Sequence, residues 1–154
     1  MNASNTLLGA TLAVTTVSEV PFFFFSGSIL SRIGTLETCL ISLVAYGLRS
    51  WVYSYVHDPW YVLPAELLHG LTFSLSWTAV ATEATALAPV GFEATTMGIA
   101  SAAFWGVGFA VGGVGGGYVN EAYGGQWLFR GVAMLGGAAA VVCSVMLAIR
   151  RQCG

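Results

Sequence analysis

Residues 60–88 read WYVLPAELLHGLTFSLSWTAVATEATALA. The run holds neither lysine nor arginine, and only Glu66, His69 and Glu83 interrupt it as ionisable side chains. A helix rises about 1.5 Å per residue, so about 20 apolar residues cross a hydrocarbon core of about 30 Å. The stretch is therefore predicted as a membrane helix, overlong and hence tilted. Pro64 leaves open whether it is one piece or two. An ionisable group at membrane depth costs several kcal/mol unless it faces a partner or water, so Glu66 and His69 mark a candidate functional site.

Four more apolar stretches flank this one, giving five predicted spans at about 6–27, 36–56, 60–88, 96–119 and 127–149. All must be helical, because lipid offers no hydrogen-bond partner to an open backbone group. The fold class expected is all-α integral membrane, a single bundle without linker or second domain. Composition agrees. Of 154 residues, 56% are hydrophobic and 8% charged, with a mean hydropathy of +0.79. Soluble domains carry about 25% charged residues, and a chain this small needs a large polar exterior in water. The net charge of −2 excludes a nucleic-acid partner, which would require a basic face.

The predicted connections carry turn chemistry: residues 26–35 with Arg32 and Gly34, residues 57–59, residues 89–93, and residues 120–126 with Gly124 and Gly125. Trp60, Tyr61, Tyr118, Tyr123 and Trp127 gather at one set of span ends as an interfacial belt. Arg32, Arg150 and Arg151 fall on one side, which the positive-inside rule makes cytoplasmic, with the C-terminus there and the N-terminus outside. Asn2, Ala3 and Ser4 form a glycosylation triplet on the outer side, too near the terminus and the membrane to be modified. The start, MNASNTLLGA, lacks a basic signal-peptide region. Cys39, Cys143 and Cys153 have no metal-ligand spacing, and the first two are expected as inert buried thiols.

The ionisable residues at depth form a pattern. Glu66 and His69 stand three apart, on one helix face. Both lie about 10 Å below the outer helix end, as does Arg49 on the preceding span. Arg49 keeps its charge in any site and needs a carboxylate, and by depth that is Glu66. His69 exchanges a proton near neutral pH. Together these groups can hold a polar solute or relay a proton. The plainer alternatives are an ion pair that only sets helix register and a packing histidine. Glu19 stands near the middle of the first span, two residues before Pro21. It is expected to line a cavity beside a kink, or else to be held protonated.

Thr72 and Glu83 project on nearly one face, Glu83 at headgroup level or on the path. Trp77 lies between them, to stack on a solute ring or simply to pack. Gly108, Gly112, Gly113, Gly116 and Gly117 form small-xxx-small pairs that predict close helix packing. They are not a phosphate loop, since no GK[ST] follows. The phenylalanines at 22–25 are expected to face lipid. No catalytic constellation stands out, so neither an enzyme nor a cofactor is expected.

The runs SEVPFFFFSGSILSRIG, GLRSW, AELLHGLTFSLSW and GGGYVNEAYGGQWLFRG resemble the C-terminal half of a major facilitator superfamily transporter. The resemblance is to helices eight to twelve, in the lactose-permease-like branch and the related major facilitator superfamily domain-containing protein 6 group. It covers nearly the whole chain. It implies proton-coupled uptake of a small polar solute, with Glu19 matching a glutamate of helix eight, Arg49 an arginine of helix nine and His69 a histidine of helix ten. Arg32, Ile33 and Gly34 match an element of a cytoplasmic loop, which agrees with the arginine placement. The chain departs from lactose permease at two positions. The permease has a lysine where Glu66 stands and a glutamate, central to proton release, where Thr72 stands. Without that glutamate, either Glu66 or Glu83 substitutes in proton coupling or the protein does not couple to protons. Helices one to seven are missing, and superfamily transporters bind solute between two six-helix halves. The expectation is a partial chain, inactive alone, whose partners are the bilayer, the solute with its protons, and the missing helices or a partner half. The competing expectation is a non-transporting membrane interaction or receptor protein.

Overall fold

The structure is a computed structural model describing residues 5–56 and 58–153, with the side chains of Pro59 and Cys153 outside the description. The glycosylation triplet and His57 lie outside these residues. Helix α1 runs Asn5–Ile33 and α2 Thr35–Tyr53. A 3-10 turn at Pro59–Tyr61 leads into the short α3, Val62–Glu66. A π turn at Gly70–Ser74 follows, and then α4, Leu75–Ala86. Next come α5, Glu93–Ser101, a π segment at Ala102–Val107, and α6, Gly108–Tyr123. Helix α7, Gly125–Cys153, completes the chain, and the described residues contain no strand.

Three stretches are long and apolar enough to cross a membrane: Asn5–Ile33, Glu93–Tyr123 and Gly125–Gln152. They correspond to the first, fourth and fifth predicted spans. The other two are where the ionisable residues concentrate. Helix α2 has 19 residues and carries Glu37 and Arg49. The third stretch is broken, with the irregularity at Leu67 and the π turn beyond it rather than at Pro64, which α3 accommodates in its first turns.

Two of the predicted loops shrink to one residue each. Gly34 alone separates α1 from α2 with φ 103°, and Gly124 alone separates α6 from α7 with φ 85°. One residue with positive φ reverses the chain, and only glycine takes that conformation cheaply. The polar residues expected in loops, such as Arg32 and Asn120, therefore stay in helix ends.

The packing is that of a membrane protein. Apart from Leu75, the most deeply buried side chains are small or hydroxylated: Thr38, Ser42, Ser54, Ser74 and Ala79. Large apolar residues such as Phe24, at 81% exposure, and Val114 point outward. Lipid satisfies an apolar exterior as well as a protein core does, so small and polar residues are left to join the helices. Helix α2 lies along α7, and the two backbones come close at Gly47 and Gly136. A Cβ on Gly136 would stand 3.3 Å from the Gly47 Cα. The close glycine contact is thus between α2 and α7, not on the glycine-dense α6. On α6, Gly112, Gly113 and Gly117 have no neighbour within 4 Å of a Cβ position, and Gly116 meets only the Leu128 side chain.

Leu30, Leu75 and Ala79 form a small core between α1 and α4, with Phe22, Ile29, Cys39 and Leu71 packed on it. Phe22 therefore faces the protein and Phe23 packs on Phe73, while Phe24 and Phe25 point outward, so the all-lipid expectation holds for only half of that run. Cys39 and Cys143 are free thiols, the second buried.

Candidate functional site: an ion cluster joining three helices

The distorted third stretch is held against α1 and α2 by hydroxyl groups. The Gly70 N–H donates to Ser18 Oγ at 3.1 Å, and Ser18 in turn donates to the Thr15 carbonyl at 2.7 Å. Ser42 donates to the Leu71 carbonyl at 3.5 Å and Ser74 to the Glu19 carbonyl at 3.4 Å. A π turn leaves backbone groups out of the regular ladder, and in lipid each must find a partner. The approach is close because residue 70 is glycine. A Cβ there would overlap the Ser18 carbonyl oxygen and stand 2.6 Å from a Phe22 ring carbon.

This packing brings Glu19 of α1, Arg49 of α2, and Glu66 and His69 of the third stretch into one cluster. Arg49 Nη2 pairs with Glu66 Oε2 at 2.7 Å. Arg49 Nη1 lies 2.5 Å from His69 Nδ1, and His69 Nε2 lies 3.0 Å from Glu19 Oε1. Tyr53 closes the cluster. It accepts from Arg49 Nε at 2.7 Å and donates to Glu66 Oε1 at 2.5 Å. A guanidinium has only donors, so His69 Nδ1 acts as the acceptor and Nε2–H donates to Glu19. This assigns a neutral imidazole in the Nε2–H tautomer, an assignment made from the hydrogen-bond network. The result is an unbroken chain of polar contacts from Glu19 through His69 and Arg49 to Glu66 and Tyr53. Its two ends differ in exposure. The Arg49 and Glu66 side chains are 11% and 7% exposed, whereas His69 and Glu19 are 29% and 24% exposed.

A cavity of about 810 Å³ borders the cluster between α2, α6 and α7. Arg49, Ser50, Tyr53, His69 and Asn120 are polar residues in its wall, Tyr46 and Phe129 add rings, and Gly112, Gly113, Gly116 and Gly117 line the α6 side. Absent side chains on α6 leave open volume there.

A family comparison covers all of these cluster residues: the MFS_1 like family matches residues 1–131. The chain belongs to that family. It is similar to the "Major facilitator superfamily domain-containing protein 6-like" proteins of Danio rerio, at 29% identity over 83% of the chain, and of Mus musculus, at 26% over 96%. The chain spans 24% of the length of each of these relatives. No solved structure matches it. Membership, together with the apolar helices, makes it a multi-pass integral membrane protein of the major facilitator superfamily.

Within this MFS_1-like chain, the remaining candidates are not in the cluster. Thr72 is buried and its hydroxyl donates to the His69 carbonyl at 3.1 Å, a local helix contact. Trp77 packs against Phe104 and Trp105. Glu83 lies roughly 21 Å beyond His69 along the helix. Gly108 does not border the cavity. Tyr53 and Ser18 were not singled out from the sequence. Tyr53 stands four residues after Arg49, the spacing that puts two side chains on one helix face, and that was the available signal. Ser18 carried none, since its partner Gly70 lies on another helix.

Tyr53 is expected to matter for stability. Tyr53→Phe leaves a buried Glu66 oxygen without its donor, and such a group costs about 1–3 kcal/mol. Thermal unfolding in detergent should show that loss. An unchanged midpoint would mean that Glu66 finds another donor.

Proposed function

We propose that this chain contributes five spans of a larger proton-coupled transporter for a small polar solute, with Glu19, His69, Arg49 and Glu66 on the path. The observation that carries the reading is the continuous polar chain from Glu19 to Glu66, set beside a cavity at membrane depth. Ionisable groups are retained at such depth where they serve a path for ions or solute. A switch is inherent in the contacts. A proton arriving at His69 Nδ1 would set an N–H against the Arg49 guanidinium, so imidazolium formation and the contact between Arg49 and His69 exclude each other. Arg49 would then release His69 while keeping Glu66 and Tyr53. The relatives' fourfold greater length supports further helices as the other part of the path. The arginines at 32, 150 and 151 support a cytoplasmic C-terminus.

The test is solute-driven proton uptake into proteoliposomes loaded with a pH-sensitive dye. It uses the complete transporter of which this chain is proposed to be a part. Compared with the wild type at equal amounts of folded protein, Arg49→Ala and His69→Ala are each expected to lower uptake by at least about tenfold, the loss of one well-placed polar contact. Wild-type flux in both variants would remove these residues from the path.

A further inference from the structure

The ion cluster shows its charges unequally to the cavity beside it. Arg49, His69 and Tyr53 line that cavity, whereas Glu19 and Glu66 do not. Ser50 and Asn120 add only neutral polar groups, and the rest of the wall is ring, aliphatic side chain or glycine. The one sign of charge this wall can present near neutral pH is therefore positive. Each acid is held on the far nitrogen of its partner. Glu66 pairs with Arg49 Nη2 rather than Nη1, and Glu19 with His69 Nε2 rather than Nδ1. Nη1 and Nδ1 meet each other at 2.5 Å, between two residues that both border the open volume.

The charged groups around His69 are Arg49 of α2, Glu19 of α1 and Glu66 of its own stretch. A proton on Nδ1 ends the contact with Arg49 Nη1. Two donors are then left side by side at the cavity wall, the new Nδ1–H and the N–H groups of Nη1. A carboxylate carries two acceptor oxygens and takes two such donors at once, and hydrogen bonds between charged groups are the strong ones. The proton brings one positive charge and a monocarboxylate offsets it. Proton and solute thus enter together without net charge, which is what membrane depth favours.

We infer that the solute is a small organic monocarboxylate. Its carboxylate sits on Arg49 Nη1 and protonated His69, and its apolar part lies against Tyr46 and Phe129. This rests on the transport reading above and names its solute class. The cavity, about 810 Å³, falls within the range of small-molecule sites, about 300–1,000 Å³. Helix α6 supplies the room, since nothing lies within 4 Å of a Cβ position at Gly112, Gly113 or Gly117. A cation would meet Arg49 and protonated His69 as like charges. A neutral solute would leave the arriving proton unbalanced in a wall without an acid.

The test is a ligand-observed NMR titration of the chain in lipid nanodiscs with benzoate, benzamide and benzamidinium. These probes share one shape and carry negative, no and positive charge. Saturable binding is expected for benzoate, at least about tenfold tighter than for the other two. It should tighten between about pH 8 and about pH 6, where a histidine gains its proton. His69→Gln should abolish that pH dependence and raise the Kd for benzoate by about tenfold. Gly113→Leu, outside the ion cluster, fills the cavity and should abolish binding in a chain that still unfolds cooperatively. Preference for benzamide or benzamidinium would overturn the carboxylate class. Benzoate binding indifferent to both pH and His69→Gln would overturn the proton-freed donor pair, and binding that survives Gly113→Leu would overturn the assignment to this cavity. No saturable binding of any probe would overturn this proposal, and lost flux in the Arg49 and His69 variants would then still uphold the path itself.

Discussion

Arg49→Ala is expected to destabilise the chain by about 3–5 kcal/mol, the usual effect of removing one partner from a buried ion pair. The reason lies less in the attraction lost than in what remains. Glu66 is nearly closed off, so its carboxylate would be left at membrane depth with only the Tyr53 hydroxyl. Tyr53 and His69 would each lose a donor in the same step. If uncompensated charge is the cause, adding Glu66→Gln to Arg49→Ala should restore much of the stability, because the neutral amide removes the buried charge. The pair formed by Arg151 and Glu37 is the internal control. It is 3.2 Å long but Arg151 is 71% exposed, so Arg151→Ala should leave the unfolding midpoint unchanged, as surface pairs usually do. Thermal unfolding followed by circular dichroism in detergent checks all three variants. A wild-type midpoint for Arg49→Ala would show that water reaches Glu66 and that the cluster is not closed at that end.

The second large effect is expected at Gly70. Alanine in place of a helical glycine ordinarily gains about 1 kcal/mol. Here the added methyl overlaps a backbone oxygen of α1, which cannot rotate aside, and crowds Phe22. Overpacking of this kind costs about 3 kcal/mol. The net expectation is a loss of about 2 kcal/mol, with α1 pushed away from the third stretch. Glu19 rides on α1, so its 3.0 Å contact with His69 should be lost as well. Gly113→Ala is the matched comparison. Nothing lies within 4 Å of a Cβ there, so only the propensity gain remains and the variant should be slightly more stable. Equal midpoints for the two variants would mean that α1 and the third stretch are not in close contact at Gly70.

The contrast between these two glycines shows where sequence stops and tertiary structure begins. Composition and run length were enough for a helical membrane protein, because a chain with so few charges can neither cover itself in water nor leave backbone groups open in lipid. Local spacing was enough to put Glu66 with His69, and depth along antiparallel helices was enough to bring Arg49 near them. Each of these follows from the geometry of single helices. What sequence did not disclose was which face of each helix meets which neighbour. In a soluble protein the apolar stripe announces the buried face. In lipid an apolar face is satisfied equally by lipid and by protein, and hydropathy carries no such direction.

The tertiary structure therefore decided the rest. It placed the close glycine crossing at Gly47 and Gly136, and turned the richer stripe on α6 to a cavity. It chose Tyr53 as the third partner of the ion pair and Ser18 as the acceptor for Gly70. It let single glycines at 34 and 124 replace whole loops. Apart from the turn glycines, each of these depends on rotation and register between helices, set by contacts between residues that lie on different helices.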